Sequence, residues 1–173
     1  MESAEKLAHP EMMREKQFTE LRNKVHKELE AGLEKRLQMN PNPSDEELRV
    51  GAFFESIEPQ VRDAVLKIFR KGYTTESSGF SGNGFTKQEI RGSFSLSEEI
   101  KAKLENAGLE VKEPFHKVTE IYFSPEKPNL DEIKAKWDEI ADLFPDTGKP
   151  APPAIWGEAE GFRKPQKRDS VLE

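Results

Sequence analysis

Between residues 65 and 125 one pattern runs twice: an apolar-periodic helix, a glycine, a strand, a turn and a second strand. In the first pass Val65, Leu66, Ile68 and Phe69 precede Gly72 and Tyr73-Thr74-Thr75. A Gly/Ser-rich connection follows, then Glu89-Ile90-Arg91-Gly92-Ser93-Phe94. In the second pass Ile100 and Leu104 precede Gly108 and Leu109-Glu110-Val111. A shorter turn around Pro114 leads to Val118-Thr119-Glu120-Ile121-Tyr122-Phe123, the most strand-like run in the chain. A glycine after each helix suits the left-handed position that closes it. Strands joined by short connections pair antiparallel, so the repeat predicts two hairpins merged into one small four-stranded sheet. With helices on one face of that sheet, the class is α+β.

The flanks are helical. Phe18, Leu21, Val25, Leu29, Leu33 and Leu37 recur every third or fourth position and predict one long helix over residues 10–39, with Pro10 in its first turn. The simpler account packs that stripe on the domain. The alternative is a coiled-coil or partner-docking helix, open to self-association, although the later leucines drift off an a/d seam. Pro41 and Pro43 interrupt the chain, and Ser44 with Glu47 forms a capping-box pattern for the next helix. Ser95 with Glu98 predicts a second such cap before a helix over residues 96–107. Asn129 and Glu132 open a last helix carrying Ile133, Trp137, Ile140 and Phe144. From Asp146 the prolines and scattered charges predict an extended, mobile tail, in which Ile155-Trp156 either folds back or serves as a docking motif. The chain thus divides into residues 1–43, a core of 44–145 and a tail of 146–173.

Composition removes several classes of function. There is no cysteine, hence no disulfide, thiolate metal site or cysteine nucleophile. No apolar run nears the roughly 20 residues that span a bilayer, and the first ten residues lack the apolar stretch of a secretory signal. A soluble, cytoplasmic protein without membrane contact is the expectation. Residues 45–145 hold 20 acidic against 14 basic side chains and carry the whole formal charge of -6. An acidic body repels phosphate backbones, which argues against nucleic acid as a partner. The basic run at residues 163–168 is offset by flanking acids and reads as a solubilising tail.

The strongest local anomaly is the connection over residues 76–87. Ser77, Ser78, Gly79, Ser81, Gly82, Gly84 and Lys87 fill it, with Phe80 and Phe85 between them. Glycines let backbone N–H groups converge on an anion, serines add donors and a lysine adds charge. The spacing matches neither a phosphate-binding Gly-Lys-Ser/Thr loop, a dinucleotide fingerprint nor a nucleophile elbow, so no cofactor is implied. A flexible hairpin loop is the simpler account. His9, His26 and His116 are too scattered for a triad or zinc site. Tyr122 and Phe123 must face opposite sides of a sheet, so one points away from the helices. The leading expectation is a non-catalytic protein-interaction module. A small-ligand or phosphate-binding domain built on residues 76–87, with or without enzymatic activity, is the alternative.

Overall fold

A computed structural model describes residues 2–153, with side chains described from His9 onward. The order is α1 (Glu2–Met39), α2 (Asp45–Val50), α3 (Pro59–Arg70), β1 (Thr75–Ser81), β2 (Lys87–Gly92), α4 (Glu98–Asn106), β3 (Glu110–Phe115), β4 (Val118–Phe123) and α5 (Leu130–Leu143). Short 3-10 turns lie at Phe54–Ser56 and Asn83–Phe85. The two hairpins join as the repeat predicts, in one antiparallel sheet of order β1-β2-β4-β3. Gly72 and Gly108 close α3 and α4 at φ of +107° and +89°.

Alternation along the strands sorts the sheet into two faces. Gln88, Ile90, Thr119, Ile121 and Phe123 are buried on the helical side. Against them α3 turns Val61, Val65 and Ile68, and α5 turns Ile133, Trp137 and Ile140. Trp137 meets Phe123 edge-on at 4.9 Å and donates its indole N–H to Gln88 Oε1 at 3.1 Å. Gln60 also donates to that oxygen, at 3.2 Å, giving the core one polar centre. The opposite face alternates charge: Glu89, Arg91, Glu120, Lys112 and Glu110, with Tyr122 among them. Phe123 is thus the inward member of the aromatic pair and Tyr122 the outward one.

Several local expectations shift. The first strand starts at Thr75 and runs through Ser81, so half of the segment expected as loop over 76–87 is β1. Serine and glycine have weak strand preference alone, but pairing with β2 supplies the ladder bonds that decide the matter. The true connection is residues 82–86. The turn of the second hairpin falls at His116 and Lys117, two residues after Pro114. Pro114 sits inside β3, an edge strand, where the register with β4 shifts between Lys112 and Phe115, a setting that tolerates proline. The cap of α4 is Ser97, whose Oγ accepts from Ile100 N–H, and not Ser95. Helix α1 also extends N-terminally of Pro10, which lies within it.

Helix α1 belongs to the body. Phe18 and Val25 on its stripe are fully buried. The Ser44 capping box forms as its spacing predicts, with Glu47 N–H donating to Ser44 Oγ at 3.1 Å. After α5 the chain stays pinned: Tyr73 Oη donates to Pro145 O at 2.9 Å, Thr147 N–H to Lys71 O at 2.9 Å, and Ala151 is buried. The expectations for Ile155-Trp156 and the basic run at 163–168 lie outside the described residues.

Candidate functional site

The strand β1 is an outer strand, so alternate residues turn their backbone groups away from β2. Phe80 identifies which ones, because its N–H donates to Glu58 Oε2 at 2.9 Å, outside the sheet. Ser78 lies two residues earlier and shares that direction. It pairs with Ile90 as Phe80 pairs with Gln88, and among the described residues no hydrogen bond from another element engages its backbone.

Opposite this edge runs α1, and the space between is a groove of about 360 Å³. Its apolar walls are Leu29, Ala52, Ile57, Phe80 and Phe85. Its polar groups are Arg22 and His26 from α1, Ser56 and Glu58 before α3, and Glu76, Ser77 and Ser78 from β1. The two phenylalanines of the glycine-rich segment therefore find fold-back contacts. Phe85 packs under the Arg22 guanidinium at 4.7 Å, and Thr19 Oγ1 donates to Gly84 O at 3.1 Å, clamping the hairpin turn beneath α1.

Glu58 is the central polar residue of the groove. It occupies the N-cap position of α3, yet its side chain makes no capping bond there. The carboxylate instead reaches the strand, one oxygen on Phe80 N–H and the other 3.0 Å from His26 Nε2. Burial pushes its pKa up, opposed by the Phe80 N–H, His26 and Arg22. Gly79 makes the approach possible. A Cβ there would fall 1.3 Å from Glu58 Oε2, and the residue holds φ at +113°. Gly79→Ala should therefore cost about 1–3 kcal/mol through backbone strain and displacement of the carboxylate. Urea unfolding of the variant measures this, and a loss below about 0.5 kcal/mol would show that Glu58 does not need the space.

The seven residues singled out in the sequence are divided among three places. Ser77 and Ser78 line the groove, and Gly79 faces Glu58. Gly82 and Gly84 belong to the turn. On the outer face, Ser81 Oγ donates to Glu89 at 3.1 Å and Lys87 lies 6.0 Å from the Tyr122 ring. They do not converge on a common point. The segment does hold a carboxylate through a backbone N–H, and that carboxylate is the chain's own Glu58.

On the outer face Tyr122 bonds to Glu120 and has Lys112 5.4 Å from its ring, while Arg91 pairs with Glu120 at 3.4 Å. Partial burial, the bond to Glu120 and the nearby Glu89 and Glu110 raise the phenol's pKa above its ordinary value. The charges there balance one another and leave no sign preference for a ligand. A second, open cavity of about 610 Å³ lies between α2 and residues 146–151, where Arg70 is paired with Glu46 at 2.8 Å.

Sequence reasoning passed over Glu58, Arg22 and the pairing of His26. One signal was available: glutamate at an N-cap before Pro59, a position that ordinarily favours Ser, Thr, Asp or Asn. Among the described residues no group of three His, Asp or Glu side chains is placed to hold a metal ion, and no helix is long and apolar enough to cross a membrane. Compared with family models, with curated proteins and with solved structures, the chain has no match.

Proposed function

We propose that this chain is a non-catalytic protein-interaction module that takes an extended segment of a partner protein into the groove between α1 and β1. The mode is strand addition, in which main-chain bonds supply affinity and alternate side chains supply selectivity. One observation carries the reading: Ser78 lies on an edge strand beside a groove with apolar walls, and no other element bonds to its backbone among the described residues. An incoming residue paired with Ser78 would place its side chain on the same face as the Ser78 side chain. Leu29, Ala52 and Ile57 favour an aliphatic group in the groove. In this reading α1 serves as a wall of the site, since its own apolar stripe is turned to the body at Phe18 and Val25.

The competing reading, an anion site on residues 76–87, has less support. Glu58 and Glu76 would repel a phosphate brought into the groove, and Lys87 lies on the other face of the sheet. An activated serine has no support either. The hydrogen bond described for His26 goes to Glu58, and none reaches Ser77 or Ser78.

The test is an amide NMR titration of the full chain with a capped heptapeptide of alternating valine and threonine. Its counterpart N-methylated at alternate residues and inorganic phosphate are titrated in parallel. Shifts at Ser78 and its neighbours with the peptide, lost with the N-methylated form, are expected. Shifts caused by phosphate and not by the peptide would reverse the two readings.

A further inference from the structure

We infer that Glu58 guards the edge of β1, holding the place that the carbonyl of an incoming strand would take. This rests on the groove being a peptide site and adds how that site is controlled. An antiparallel neighbour offers a carbonyl to each outward N–H, and along β1 those N–H groups fall two residues apart, at Ser78 and Phe80. Ser78 is open. At Phe80 the acceptor is already supplied by Glu58 Oε2 at 2.9 Å.

The guard is held from two sides. His26 of α1 lies 3.0 Å from the second oxygen, and Gly79 has no side chain to keep the carboxylate off the strand. Arg22 from α1 and Glu76 from β1 are the other charged groups lining the same groove. Hydrogen bonds to an ionised acceptor are stronger than those to a neutral carbonyl. A visiting segment therefore gains Ser78 freely but must displace a carboxylate to gain Phe80. Native sheets commonly blunt exposed edges with charged side chains. Here the charge belongs to the neighbouring helix start and sits on a side chain with rotatable bonds, so its departure does not require unfolding the strand. A glutamate whose role was to start α3 would turn its carboxylate to that helix, and this one does not.

Removing the guard should tighten binding. For Glu58→Ala, affinity for the capped valine–threonine heptapeptide is expected to rise about tenfold, with slowed hydrogen exchange at the Phe80 amide in the bound state. Glu58→Gln keeps a neutral acceptor and should give a smaller rise, and it decides alone if Glu58→Ala does not fold. A wild-type chain that binds at Ser78 while the folded variants bind equally or more weakly overturns the guard and leaves the peptide site standing. Binding by the variants alone supports both. No binding by wild type or variant overturns the peptide site and the guard together.

Discussion

Glu47→Ala is expected to lower stability by about 3 kcal/mol, because the carboxylate it removes is buried and fully bonded. Glu47 is 1% exposed. Arg36 donates to it through both terminal nitrogens, at 2.5 and 2.9 Å, and the N–H groups of Ser44 and Phe54 donate at 2.9 Å each. Alanine would strand those two N–H groups and leave the guanidinium with Glu55, 3.0 Å away, as its carboxylate partner. That remaining partner places the effect at the lower end of the range for broken buried pairs. Urea denaturation should show a lower midpoint at unchanged slope. A loss below about 1 kcal/mol would mean that the pair is not what ties α1 to α2.

The same residue predicts a pH dependence. Burial works to raise the Glu47 pKa, but the bonds from Arg36, Ser44 and Phe54 outweigh it and hold the folded value below the ordinary carboxylate range. A depressed folded pKa means that the unfolded chain binds the proton more readily. The contribution is therefore complete above the unfolded pKa and lost as pH falls through the folded one. The stability gap between wild type and Glu47→Ala should narrow in acid and stay constant near neutrality.

Phe18→Ala is the second large effect, about 3–5 kcal/mol for an aromatic ring deleted from a closed site. Phe18 is fully buried in the main core cluster, with the Arg14 guanidinium 4.7 Å from its ring centroid. Arg14 in turn donates to the carbonyls of Pro125 and Glu126, just beyond β4. The first part of α1 is therefore bound to the chain just after β4, as its last turns are bound to α2. Both ends must hold for the groove beside β1 to keep its width. The variant should unfold in one transition at lower denaturant. Loss of helix signal in a separate early step, with the sheet melting as before, would mean that α1 is an appendage.

Much of this architecture was legible from residue order. Gly72 and Gly108 end helices because a left-handed residue satisfies the final carbonyls, and that requirement is local. The Ser44–Glu47 box and the Asn129 cap form at their expected positions for the same reason. Trp137 is core because apolar periodicity places it there. The failures also have a common cause. Ser77 to Ser81 look like loop by propensity, and only their partners across the ladder make them strand. The capping-box spacing points to Ser95, but α4 begins at Glu98, and Ser97 is the residue whose hydroxyl meets the Ile100 N–H.

For this protein, whatever depends on neighbours a few residues away could be read in the chain: the doubled hairpin, most of the caps, the inward stripes. Which residues meet across the fold could not. His26 and Glu58 are 32 positions apart, and Glu58 and Phe80 are 22 apart. Glu58 meets Phe80 because α3 packs against β1, and His26 meets Glu58 because α1 is held to the core at Phe18. Side-chain chemistry is written locally, but the distance between two groups on different elements is set only when the cores that carry them close.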